Sequence, residues 1–228
     1  MPDRPPKNQD LHGNAPDNAP VALVLIDVIN DLEFPGGDVL LEHALPAARH
    51  IKDLKHQAKR SHIPVIYVND NFGKWQSDFR QLVEHSLGDD VRGKLLTKLL
   101  HPDDDDYFVL KPKNSGFFAT TLETLLTYLG VKTLILTGLT TDVCVLFTAN
   151  DAFMRDYHLH IPADCVAAID TARSQQMLDY MRDALEADLT PSVRLDLATL
   201  IEDARKTPQA KGIVKGIIRR IKRIVLVR

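Results

Sequence analysis

The stretch Val21-Ala-Leu-Val-Leu-Ile26 is apolar without a break and runs directly into Asp27. A strand with one wet face alternates polar and apolar residues; a continuous run suits a strand covered on both faces of a parallel sheet. Similar runs follow at Ile63-Pro-Val-Ile-Tyr-Val68, Tyr107-Phe-Val-Leu110, Thr133-Leu-Ile-Leu-Thr137 and His158-Leu-His-Ile161, with Val193 to Leu197 as a candidate sixth. Helical periodicity fills the gaps. Leu45, Ala48, Ile51, Leu54 and Ala58 recur three and four apart between Ala44 and Ser61. Leu122, Leu125, Leu126 and Leu129 do the same before Gly130, a residue suited to ending a helix. Val143 to Arg155 and Ala172 to Glu186 complete the alternation. Strand and helix in turn predict a doubly wound, Rossmann-like α/β fold: a six-stranded, mostly parallel sheet with helices on both faces. Ligands of such sheets sit outside the carboxyl ends of the strands. The residues just after each strand are therefore the first candidates for chemistry.

Outside this core the chain changes character. Residues 1–20 are polar and hold five prolines, which predicts a disordered leader and no signal peptide. Residues 21–204 form the predicted domain. Nine of the 28 Lys and Arg side chains lie from Arg205 to Arg228, a stretch with no Asp or Glu, so the net charge of −3 conceals an acidic body and a basic tail. That distribution argues against a nucleic-acid-binding domain, whose basic face belongs to the fold. Two cysteines, Cys144 and Cys165, with no paired spacing argue against a disulfide framework or structural zinc site. Free thiols suit the cytoplasm.

Three strand ends carry reactive groups: Asp27 after the first, Lys111 after the third, and Cys144 just past the fourth, at a predicted helix start. Singly, each has an ordinary explanation as a turn former, a solvated charge or a small buried hydrophobe. Brought to one rim, they make a chemical unit. A free thiol has little thiolate at neutral pH; a helix N-terminus and a nearby cation lower its pKa, and a carboxylate can accept its proton. Backbone N–H groups of the Thr140-Thr141-Asp142-Val143-Cys144 turn are the natural oxyanion donors.

Three motifs carry a resemblance. Asp27-Val-Ile-Asn-Asp-Leu32, Lys111-Pro-Lys-Asn-Ser-Gly-Phe117 and Gly138-Leu-Thr-Thr-Asp-Val-Cys-Val145 together resemble the isochorismatase-like superfamily of cysteine hydrolases, over roughly residues 20–200. Gly116 stands where the second motif has Ala. The resemblance implies an Asp27–Lys111–Cys144 triad, a non-proline cis peptide at Leu139–Thr140, and oxyanion donors on the backbone of Thr140 and Cys144. Lys111, rather than Lys113, keeps the motif spacing to Ser115 and Phe117. The implied reaction is hydrolysis of a small amide or related C–N substrate through a thioester, an amidohydrolase activity without a cofactor. Nicotinamidases of the superfamily bind a metal through an Asp-x-His pair; here Asp70 is followed by Phe72, so no metal site is expected. Members that hydrolyse a vinyl ether lack the cysteine, which Cys144 also sets aside.

Asn30, Trp75 and Phe117 are candidates for the substrate pocket. The loop from Asn69 to Phe79 reads equally as a lid over the triad or as aromatics packed beneath a surface loop or at a subunit contact. Cys165 reads as a buried structural thiol, and Asp103 to Asp106 as a solvated loop able to attract a cation weakly. In the tail, Ile213, Val214, Ile217, Ile218, Ile221, Ile224 and Val225 recur at helical spacing among basic residues. Residues 211–228 thus suit docking within a homo-oligomer, or the surface of an anionic membrane. The expected partners are a small-molecule substrate and further copies of the chain. The competing reading is a binding or scaffold protein that keeps the fold without turnover.

Overall fold

The computed structural model describes residues 19–72, 78–88 and 90–206. Six strands form one sheet: β1 (Val21–Ile26), β2 (Val65–Asp70), β3 (Tyr107–Lys111), β4 (Thr133–Leu139), β5 (His158–His160) and β6 (Val166–Ala167). Their order is β3-β2-β1-β4-β5, with β6 pairing the end of β4, and every pair is parallel. Among the described residues seven α-helices accompany them: α1 (Gly37–Arg60), α2 (Phe79–Gly88), α3 (Lys94–Leu99), α4 (Leu122–Leu129), α5 (Leu146–Met154), α6 (Thr171–Leu185) and α7 (Leu197–Lys206). None of the described helices is long and apolar enough to cross a membrane.

The apolar run of β1 has a direct structural cause. Side chains alternate between faces along a strand. Val21, Leu23 and Leu25 enter the core shared with α1, α3 and α7, while Ala22, Val24 and Ile26 enter the core under α4, α5 and α6. All six are buried, because β1 lies at the centre of the sheet with helices on both sides. A buried hydroxyl of the neighbouring strand is satisfied: Thr137 Oγ1 donates to Val24 O at 3.0 Å.

Several boundaries differ from the sequence expectation. The sixth strand is Val166–Ala167, too short to leave a pattern, and Val193 to Leu197 is not a strand. That segment holds a tight turn, Ser192–Arg194, leading into α7, and Val193 is 73% exposed. Ala19 and Pro20 are buried, and the Ala19 N–H donates to Leu129 O at 2.7 Å, so the described fold begins two residues before β1. Residues 1–18 and 207–228, which carry nearly all of the leader and the tail, lie outside the described residues.

The Asp103 to Asp106 loop is not simply solvated. The Asp106 side chain is 1% exposed, and Lys55 of α1 reaches it at 2.7 Å and Asp103 at 3.1 Å. Lys59 pairs with Asp103, Asp105 and Asp106. Buried Lys55 also donates to Tyr67 Oη and to His101 O, each at 3.0 Å. Asp103, Asp105 and Asp106 form the only cluster of three potential ligands among the described residues, and two lysines already pair with it.

Candidate active site

The sheet order reverses direction between β1 and β4, and a crevice opens at the carboxyl ends of strands at such a switch point. Asp27 follows β1 and the Cys144 turn follows β4, so both stand at that crevice. Ile26 pairs with Gly138 and with Val68, and Asp70 pairs with Lys111, so register alone gathers four strand ends. Asp27 has a left-handed backbone, φ 50°, a conformation Asp tolerates better than most residues. Its N–H donates to Val68 O at 2.9 Å.

The side chains converge on one ammonium group. Lys111 is fully buried, and its Nζ lies 2.9 Å from Asp27 Oδ2, 3.5 Å from Cys144 Sγ and 3.5 Å from Asp70 Oδ2. The Cys144 thiol hydrogen-bonds Asp27, whose Oδ1 also accepts the Asp70 N–H at 2.8 Å. Lys113, the competing lysine, is exposed.

The electrostatics differ in one respect from the sequence expectation. Burial, and then the Asp27 charge, push the Cys144 thiol up to about 12, against the lowering effect of Lys111. Cys144 also sits in a π-helical turn, Thr141–Val145, ahead of α5 rather than in the first turn of that helix. The resting group is therefore a thiol. Burial likewise raises the Asp27 carboxyl above its usual range, with Lys111 opposing that rise, which makes Asp27 a stronger base than a solvated carboxylate. Burial by itself would lower Lys111, but Asp27, Cys144 and Asp70 outweigh it and hold the ammonium charged.

The Leu139–Thr140 peptide is cis, as the motif implied. Thr140 O accepts from the N–H groups of Val143 at 3.2 Å and Val145 at 3.1 Å, which closes the nucleophile turn. Two features outside the motifs brace this turn. Buried Thr141 is bonded through its hydroxyl to Ser174 of α6 at 2.9 Å, and Arg173 lies 3.5 Å from Asp142. The Lys111 loop is tied to α5 as well: Ser115 Oγ donates to Asp151 at 2.5 Å and the Gly116 N–H to Thr148 at 3.0 Å.

The pocket candidates fare differently. Asn30 is half-buried, and its Oδ1 accepts the Leu32 N–H at 2.9 Å, closing the loop after β1. Phe117 is buried in the core under the Arg155 guanidinium, 4.8 Å from its ring centre, and tilted against Tyr157. Trp75 lies outside the described residues. Asp70 is the group the triad motifs did not include. Its place at a strand end beside β1 and β3 was the available signal.

The isochorismatase-domain family model matches residues 21–191. The chain belongs to the isochorismatase family. Among its relatives is the uncharacterized isochorismatase family protein YaaI of Bacillus subtilis, 40% identical over 169 residues, covering 74% of this chain and 92% of that protein. The ureidoacrylate amidohydrolase RutB of Acinetobacter baylyi is 28% identical over 60% of this chain and 66% of its own length. The crystal structure of N-carbamoylsarcosine amidase from Thermoplasma acidophilum superposes with a TM-score of 0.60 at 30% identity, covering 77% of this chain and 98% of that one. The six-stranded parallel α/β architecture is thus that of the family.

Proposed function

We propose that the protein is a cysteine amidohydrolase that cleaves a small amide, carbamoyl or ureido C–N bond through a thioester on Cys144. The observation that carries this reading is the buried Lys111 ammonium, which meets both Asp27 and Cys144 at the switch point of the sheet. Similarity to proteins named for carbamoylsarcosine and ureidoacrylate hydrolysis supports the substrate class.

The chemistry follows from the charges. A carbonyl carbon approaches Cys144, and Asp27 takes the thiol proton as the sulfur–carbon bond forms. The uphill proton transfer is offset by that bond and by Lys111, which faces the anion left on either partner. Backbone N–H groups of Thr140 and Cys144 receive the developing oxyanion. Collapse of the tetrahedral intermediate breaks the C–N bond, and Asp27 returns its proton to the departing nitrogen. Asp27 then takes a proton from water, the hydroxide attacks the thioester, and Cys144 leaves and recovers its proton. No metal is needed for either step. The donor set does not suit one: Phe72 offers no ligand atom, and Asp70 is engaged with Lys111 and the Phe72 N–H.

The test is a hydrolysis screen of small amides, ureides and carbamoyl compounds, with Cys144→Ala as control. Turnover by the native chain that vanishes in the variant supports the reading. Equal turnover by both removes Cys144 from the mechanism.

A further inference from the structure

Asp70 ends β2 directly opposite Lys111 of β3. One carboxylate oxygen accepts the Phe72 N–H at 2.6 Å, and the other faces Lys111 Nζ at 3.5 Å. Its side chain is 35% exposed, whereas that of Asp27 is 9% exposed and that of Lys111 is not exposed at all. Of the three charges, Asp70 is thus the one that meets solvent. It shares the ammonium with Cys144, itself partly exposed, each 3.5 Å from the same nitrogen. A molecule that reaches the sulfur therefore passes close to this carboxylate.

The charge count gives the consequence. Among the described residues one ammonium faces two carboxylates, so the cluster is anionic even while Cys144 stays a thiol. The neighbouring charges on the nucleophile turn do not alter this: Arg173 is engaged by Asp142 at 3.5 Å and by Asp170 at 3.8 Å. A like charge brought into a partly dehydrated cleft is repelled far more than in open water.

We propose that Asp70 sets the charge at the mouth of the site, so that neutral N–H-rich or cationic groups are accepted beside Cys144 and carboxylates are refused there. This rests on Cys144 being the nucleophile. It narrows the substrate class to amides and ureides whose reacting end is uncharged, with any carboxylate held away from the scissile carbonyl. The exposed carboxylate is also the natural acceptor for an N–H of that end.

Charged methanethiosulfonates test this without knowledge of the substrate. In each case the Cys144 thiolate displaces methanesulfinate and forms a mixed disulfide. The rate ratio of the 2-(trimethylammonio)ethyl reagent to the 2-sulfonatoethyl reagent, read at Cys144 by peptide mass, cancels the ionisation of the thiol. Relative to an uncharged free thiol such as 2-mercaptoethanol, the ratio for the native chain should be raised, and Asp70→Asn should lower it by roughly tenfold. Asparagine keeps an acceptor for the Phe72 N–H, and Asp70→Glu, which keeps the charge, should retain a raised ratio. A merely loosened site would raise both rates together and leave the ratio unchanged. If Asp70→Asn does not fold, the native ratio should still fall toward that of 2-mercaptoethanol as salt rises from about 0.01 M to about 1 M. A native ratio equal to that of 2-mercaptoethanol, or one unchanged in Asp70→Asn, overturns the inference alone. Failure of both reagents to reach Cys144 overturns the nucleophile reading, and this inference with it.

Discussion

Gly138 and Ile26 approach so closely that a Cβ built on the glycine would lie 2.1 Å from the Ile26 carbonyl oxygen. Gly138 also has φ +109°, where side chains are strained. This contact joins the two central strands one residue before Asp27 and six before Cys144. Gly138→Ala should therefore destabilise the fold by about 3 kcal/mol or more and displace the triad. Urea unfolding checks it; a midpoint within error of the native chain would contradict the account.

Asp106 should matter although it lies in a surface loop. Its carboxylate is buried against Lys55, which is itself 5% exposed. Asp106→Ala leaves that ammonium with one partner fewer and should cost about 3 kcal/mol, since breaking a buried pair is worse than never making it. In a domain of this size that corresponds to roughly 6–12 °C in Tm. Scanning calorimetry should show the fall, with little change in rate per site at 25 °C.

A chain ending at Lys206 should fold and keep its site. All six strands, all seven described helices and the triad lie within residues 19–206. Far-UV circular dichroism and the hydrolysis screen on the truncated protein check this. Gel filtration and sedimentation with anionic liposomes on the full-length and truncated proteins then show what the basic, Ile-rich residues 211–228 cover. An unfolded truncation would mean that the tail belongs to the core.

Much of this architecture was legible in the sequence because its signals are local. The β1 run declares burial on both faces, and the turn from Gly138 to Val145 carries Cys144 within eight residues. What stayed hidden depends on distance. Val166–Ala167 pairs with β4 but is too short to show a period. Lys55 and Asp106 meet across 51 positions, so the Asp103 to Asp106 run looked like a solvated loop. The link from Asp70 to Lys111 exists only through strand register. The Cys144 pKa went the other way from expectation because burial and Asp27 outweigh Lys111, and the sequence does not weigh those effects. Phe117 turned inward because Arg155 and Tyr157, some forty residues on, cover it.

Metal removal should have no effect on turnover. Asp70 is held by Lys111 and by the Phe72 N–H, and residue 72 supplies no side-chain donor. Incubation with EDTA followed by dialysis should leave the rate within error of the untreated enzyme. Loss of activity that zinc or iron restores would contradict the proposed mechanism.

The proposed mechanism has Asp27 acting as a base toward a thiol that burial, and then the Asp27 charge, keep protonated. The most direct measurement is the rate of Cys144 alkylation by iodoacetamide at pH 8 in Asp27→Asn relative to the native chain, followed by peptide mass. Asp27 raises the thiol pKa, so removing its charge lowers that pKa and enlarges the thiolate fraction at pH 8. Alkylation should therefore be faster in the variant, while hydrolysis of any substrate found in the screen stops. Slower alkylation in Asp27→Asn, or hydrolysis that survives it, would contradict the account.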